Sequence, residues 1–480
     1  MTIVLILLSA LAAFFAVVLI RTARFRPKAE PDASLPPLAE APDAALAAEH
    51  LAEMIRIRTV SFADKAQEDP EPFEEFPRLL ARLYPNVHSA CACERPGPRS
   101  LLFRWPGKAP GDPTVLMAHY DVVPADEDAW EKPPFAGIIE GGVLWGRGTL
   151  DTKGTLLGVM EAAEAMIARG FVPEHDIYLA FAGDEEIAGT GAPTTVKLLK
   201  ARGIHAALVV DEGGAVVENV FPGVSRPCAL VGIGEKGSVN FEFSLASKGG
   251  HASAPPAHTL VGRLARAVTR VEGKPFPARM TKATAELFDT LGRHSTFVYR
   301  MIFANLWLFG DVLDSICRKS GGELNALMRT TVAFTQAKGS AGRNVIPPEA
   351  AFISNLRLNP EDTMDSALAY LKETINDPAV EITKLEGMNP SRISETNCPA
   401  WDKVASAVAG TWKGCLVSPY LMVQCSDSRH YGRISDHVYR FSAMDLTAEE
   451  RGTLHGNNER IRVETVGRAV KFYVRLMRQC

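Results

Sequence analysis

The sequence predicts an α/β protein, a mostly parallel sheet with helices on both faces, interrupted by an inserted α+β two-layer domain. Three observations predict it. Near-continuous apolar runs, TVLMA (114–118), IYLAFA (177–182) and ALVV (207–210), alternate with helical stretches, the pattern of strands buried on both faces. At about residue 237 the texture changes: Val239, Phe241, Phe243 and Leu245 alternate with polar residues, so this strand buries one face only. The chain then reads helix (259–272), strand (352–358) and helix (361–375) before the first texture returns.

The elements follow in order. Ile3 to Ile20 is 18 residues with only Ser9 polar, long enough to cross roughly 27 Å as a helix. No Lys or Arg precedes it and no small-residue cleavage site follows, so it reads as a single-pass membrane anchor. Arg21, Arg24, Arg26 and Lys28 come directly after, and this positive flank favours the cytoplasmic side for the body. Five prolines in 27–42 suit a semi-stiff linker. Asp43 is placed to cap the first helix of the body. A helix following Asp151 stops at Gly170, and 280–335 reads as a long, irregular, apolar insertion belonging to lid core or to a dimer face. Helices near 400–410 and 463–478 close the chain. The expected division is anchor 1–21, linker 22–42, a main domain built from two segments (43–236 and 391–480), and a second domain (237–390) inserted between them.

Composition narrows the function classes. The 480 residues carry a net charge of −4 and no basic stripe with interleaved aromatics, which argues against nucleic acid as a partner. Eight scattered cysteines in a chain this long are not a disulfide framework, and Cys91 and Cys93 have no second pair with which to hold a metal.

The chemistry lies where apolar runs end. VLMAHYD delivers His119 and Asp121, GRGTLDTKG delivers Asp151, YLAFAGDEE delivers Glu185 and Glu186, and LVVDEGG delivers Asp211. Ligand sites of parallel sheets lie beyond the carboxyl ends of their strands. Adjacent glutamates repel, so the Glu185-Glu186 pair makes sense where one binds a cation and the other moves protons. Singly, each acid has a bland reading: Asp151 as a helix cap, the glutamates as an exposed loop. Together they match two divalent ions about 3.5 Å apart, which need a shared carboxylate and terminal ligands on each side. Asp151 serves as the bridge, His119 and Asp211 on one ion, Glu186 and His455 on the other. Asp121, two residues beyond His119 on an extended strand, is placed to accept the second imidazole N–H. Glu185 remains as general base towards an activated water.

The segments MAHYDVVPADEDAWEKPPF, LWGRGTLDTKG, AGDEEIAGTGA, VVDEGG and GGHASAPP resemble those of the M20 metallopeptidase family. The W-x-x-P-P-F piece and the long insertion are similar to the carboxypeptidase S branch, which includes N-fatty-acyl-amino-acid synthase/hydrolases. The resemblance covers roughly residue 43 to the C-terminus. It implies two Zn²⁺ per chain, replaceable by Co²⁺ or Mn²⁺, the roles given above, and a cis peptide between Asp151 and Thr152. It further implies that His251 steadies the oxyanion and that Asn344 and Arg357 grip a substrate carboxylate. Asp427 and Arg429 also resemble a family segment beside the substrate, and the resemblance implies a fold of the zinc exopeptidase type in which 43–236 and 391–480 are the catalytic domain and 237–390 the lid and dimerisation domain.

The expected function is therefore a di-zinc amidohydrolase or exopeptidase. It cleaves the amide of a dipeptide, a C-terminal residue or an N-acyl amino acid with a free carboxylate. An N-fatty-acyl-amino-acid hydrolase/synthase is the alternative within the class, with Phe297, Trp307, Leu308 and Phe309 as candidate acyl contacts. A non-catalytic membrane-anchored binding protein is the rival from another class, and the completeness of the site argues against it.

Overall fold

The computed structural model describes residues 1–33 and 43–480, so most of the proline-rich linker lies outside the described residues. An eight-stranded sheet organises the catalytic body. Across it run Ala92–Glu94, Ser100–Trp105, Ile177–Ala182, Thr114–His119, Leu208–Val217, Val438–Leu446, Cys228–Glu235 and Leu416–Met422. The four central strands (114–119, 177–182, 208–217 and 438–446) are mutually parallel. Antiparallel pairings begin on either side, at 100–105 and at 228–235. Helices Ala44–Arg56, Lys153–Ala168 and Val463–Met477 share one apolar core with the sheet. Asp43 caps the first of these, its Oδ1 accepting from the amides of Ala45 and Leu46 at 3.0 and 3.1 Å.

The inserted domain has its own core. Gly237–Ala246 pairs with Glu349–Leu358 and Glu381–Met388, and Thr331–Lys338 completes a four-stranded antiparallel sheet. Val239, Phe241, Phe243 and Leu245 point inward against helices Leu260–Gly273 and Met364–Ile375. This cluster shares no residue with the catalytic core.

The segment 280–335 differs from its sequence reading. It is not irregular: it forms helices Lys282–His294, Phe297–Ala304, Leu306–Ser320 and Gly322–Met328 before the strand from Thr331. Nor is it lid core. Leu287, Phe288, Leu291, Phe303 and Leu313 join the catalytic core, because helix Lys282–His294 packs on the apolar edge strand Leu416–Met422. The N-terminal helix Thr2–Arg24 is the one described helix long and apolar enough to cross a membrane. Its last turns pack on these insertion helices.

Candidate active site

His119 is the last residue of its strand, and the strand's carboxyl end aims the ring at Asp151. His119 Nε2 stands 3.0 Å from Asp151 Oδ1, and His455 Nε2 stands 2.9 Å from Asp151 Oδ2. One carboxylate thus presents one oxygen to each imidazole, the disposition a bridging ligand needs. Glu186 Oε2 lies 3.3 Å from the same His455 nitrogen. The peptide between Asp151 and Thr152 is cis.

Asp121 does more than orient an imidazole. His119 Nδ1 lies 3.0 Å from the Asp121 carbonyl oxygen and 3.3 Å from its Oδ1. The carboxylate also accepts the amides of Glu185 and Glu186, each at 3.1 Å, and the Ser61 hydroxyl at 2.8 Å. One buried aspartate therefore aligns a histidine from one strand end with the glutamate pair from the next.

Asp211, expected as a terminal ligand, is buried, and its Oδ2 accepts the Ser428 amide at 2.9 Å from the turn that follows strand 416–422. Its neighbour Glu212, not singled out from the sequence, also reaches the cluster, with Oε1 3.5 Å from His119 Nε2. The ligand-type atoms of His119, Glu185 and Glu212 lie within 4.8 Å of one another, as do those of His119, Asp151 and Glu186. Gly213 and Gly214 allow this turn of the strand. Gly213 has φ of +135°, and a Cβ on Gly214 would meet the Leu230 carbonyl oxygen at 1.7 Å.

Charge balance shows what the cluster lacks. Burial pushes the carboxyls of Glu185, Glu212 and Asp427 well above their usual range. Burial disfavours the His119 cation, yet Glu212, Asp121 and Asp151 outweigh it and hold the imidazole well above its usual value. Hydrogen bonds to Asp151 and Glu186 raise His455 to about 10. Glu186 Oε1 and Asp427 Oδ2 are buried without a hydrogen-bond partner among the described residues. Several buried carboxylates, two imidazoles and orphaned oxygens form a donor set that fits divalent cations of the zinc type.

Glu459 carries no motif signal and supports the centre from behind. It accepts from Arg147 Nη1 at 2.8 Å and from the amides of Gly148, Leu150 and Asp151 at 3.0, 2.8 and 3.3 Å. Arg147 Nη2 also donates to the His455 carbonyl at 3.3 Å, so Glu459 ties together the loops that hold Asp151 and His455. Buried Lys153, drawn down to about 7 by burial, donates to the carbonyls of Met54 and Ile57 and pins the first helix to this loop.

A cavity of about 350 Å³ opens from the cluster. Asp151, Glu185, Glu186, Glu212 and His455 line it, together with the apolar Leu150, Val217, Leu230, Met444 and Leu446 and the charged Glu323 and Arg451. Arg357 reaches its wall through Cys425, with Nη1 3.4 Å from Sγ. His251 and Asn344 are brought together elsewhere: Gly250–His251 pairs with Val345–Ile346, and the Ala252 amide donates to the Asn344 carbonyl at 2.9 Å. Both are exposed, and neither lines the cavity. Arg429 Nη2 donates to the Asn389 carbonyl at 2.8 Å, linking the 427–433 turn to the lid's end. All eight cysteines are free; Cys91 is buried and Cys93 exposed, so they share no site.

The parallel strand ends and the buried carboxylate–imidazole cluster define a cation-dependent hydrolase. Residues 115–479 match the peptidase family M20/M25/M40, and the chain belongs to that family. Among its relatives, the N-fatty-acyl-amino acid synthase/hydrolase of Xenopus tropicalis is 37% identical over 435 residues, covering 89% of this chain and 85% of that protein. A probable carboxypeptidase S-like protein of Dictyostelium discoideum is 34% identical, covering 90% and 84%. The M20 metallo-carboxypeptidase of Sulfolobus solfataricus shares the fold with a TM-score of 0.66 at 18% identity, covering 90% of this chain and 98% of that one. Human carnosine dipeptidase 1 does so with a TM-score of 0.62 at 16% identity, covering 91% and 96%.

Proposed function

We propose that this M20 hydrolase cleaves the amide of N-acyl amino acids whose acyl group is apolar, releasing the free amino acid. The observation that carries the substrate class is the cavity, whose lining sets Leu150, Val217, Leu230, Met444 and Leu446 in one space with Glu185 and Asp151. An apolar acyl chain gains roughly 0.8 kcal/mol for each methylene moved there from water. The resemblance to a fatty-acyl-amino acid synthase/hydrolase supports the same choice.

His119, Asp151, Glu186, Glu212 and His455 would hold two zinc ions. When bound, these polarise the scissile carbonyl and lower the pKa of a water. Glu185 would act as the general base, taking the proton from the attacking water and returning it to the leaving amine. Asp121 keeps His119 and the glutamate amides aligned through both. Arg357, at the wall, has the bidentate shape a free carboxylate needs. His251 and Asn344 would complete the oxyanion and carboxylate contacts once the lid, or a second copy's lid, covers the cavity.

Rates on N-oleoyl-phenylalanine and on a Gly-Leu type dipeptide test the substrate class. A kcat/KM at least tenfold higher on the oleoyl compound is expected. A faster dipeptide would overturn it in favour of a dipeptidase.

A further inference from the structure

The N-terminal helix is gripped by the body over its second half. Val18 and Thr22 are buried, and Asn305 Nδ2 donates to the Val18 carbonyl at 3.3 Å and to Thr22 Oγ1 at 3.2 Å. Arg21 Nε donates to the Ala304 carbonyl at 3.2 Å, and the Phe14 and Trp307 rings meet edge to face at 5.8 Å. Beyond the helix, Phe25 lies under the Arg293 guanidinium, Lys28 pairs with Asp289 at 2.8 Å, and Glu30 pairs with Arg226 at 2.6 Å. The helix is a fitted part of the body rather than a detached leader.

That grip sets a distance. From Thr2 to Phe14, where contact with the body begins, the helix rises only about 18 Å. A hydrocarbon core is about 30 Å thick. The apolar run continues to Ile20, so keeping it in lipid draws the surface around Phe14 and Trp307 below the headgroups. That surface is apolar. Phe297, Val298 and Trp307 are each more than half exposed, and Leu308, Val312 and Ile316 form an exposed stripe at four-residue spacing. Arg21, Arg24 and Arg26 follow where the helix would leave the lipid, in reach of anionic headgroups.

We infer that helices Phe297–Ala304 and Leu306–Ser320 are a membrane-inserting face, continuous with the retained N-terminal helix, which seats the body in one leaflet. The occupant of this exposed apolar face is the bilayer, since the face adjoins the one described helix fit to span it. Helix Gly322–Met328 follows directly and carries Glu323 to the cavity wall. A lipidic substrate leaving the bilayer thus meets the cavity a few residues beyond the inserted face. The inference about the face does not depend on the reaction assigned above.

The test uses the full chain in phosphatidylcholine–phosphatidylglycerol vesicles. Val298→Cys, Trp307→Cys and Val312→Cys are made separately and treated with a membrane-impermeant maleimide, each cysteine being read by peptide mass spectrometry. Native Cys93, exposed on the opposite edge of the sheet from strand 416–422, is the internal standard for an accessible body. Native Cys317, buried on the same helix as Val312, reports whether the variant is folded. Labelling at least tenfold slower than at Cys93, at any protein-to-lipid ratio and with Cys317 unlabelled, is expected. Rates within twofold of Cys93 would overturn the inference and place the face in water. Protection that disappears as protein is diluted in lipid would overturn it in favour of a second copy. An intact mass lacking the N-terminal residues would overturn retention of the helix separately.

Discussion

The cation-binding centre and the strand pair beside His251 and Asn344 are built in opposite ways. The centre is assembled inside one core: Asp121, Asp151 and Glu459 fix every neighbour by buried hydrogen bonds before any substrate arrives. The strand pair that carries His251, with Asn344 beside it, is exposed and forms a two-stranded sheet of its own, outside both buried cores. Charge explains the difference. Buried carboxylates are tolerated only where partners or cations balance them, so the centre must be preorganised. A donor that acts on a developing oxyanion must let substrate in first.

This contrast is sharpened by substitution. The largest effect belongs to the centre: Glu185→Ala should lower kcat by about 10³ to 10⁴ with zinc content unchanged, since it removes the base and no ligand. Normal turnover at normal zinc content would reassign the base. His251→Ala should cost about 10² in kcat with little change in KM or zinc, as expected of a lost oxyanion donor. An unchanged kcat would leave the strand pair outside the reaction.

Glu459→Gln acts on the centre from behind, and a 10- to 100-fold weaker zinc affinity by competition with a chelator is expected. The smallest effect concerns the loop beside Ser61. Although burial opposes it, pairing with Arg99 and Lys65 and the Phe62 amide lowers the Glu68 carboxyl from 4.5 to about 2. A depressed carboxyl stabilises the fold above its unfolded value and loses that contribution as pH falls through its folded one. Glu68→Gln should therefore cost about 1–2 kcal/mol at pH 7 in denaturant melts, with the gap closing between pH 4.5 and 2. A gap independent of pH would mean that the ion pairs contribute nothing.

Much of the centre was legible because strand ends advertise it. TVLMA and IYLAFA are near-unbroken apolar runs, and the polar residues that follow them have nowhere to go but the sheet's edge. The alternation from Val239 to Leu245 likewise marked a strand buried on one face. The approach of Glu212 to the cluster beside Asp211 was not legible. Both follow the same run, and the phase beyond Val210 depends on the bulged pairing with Val438–Leu446. Glu459 was invisible for a similar reason, since its partners are about 300 residues away in sequence. The helices of 280–335 were missed because their apolar residues divide between two faces. One face covers the edge strand of the catalytic sheet and the other is exposed, which blurs a single amphipathic period.

The most direct test of the account is the zinc content of the full chain, measured together with hydrolysis of N-oleoyl-phenylalanine before and after chelation. Close to two zinc ions per chain, loss of amino acid release on chelation and its recovery on adding zinc are predicted. A folded chain that binds no zinc, or one whose hydrolysis is indifferent to the chelator, would contradict it.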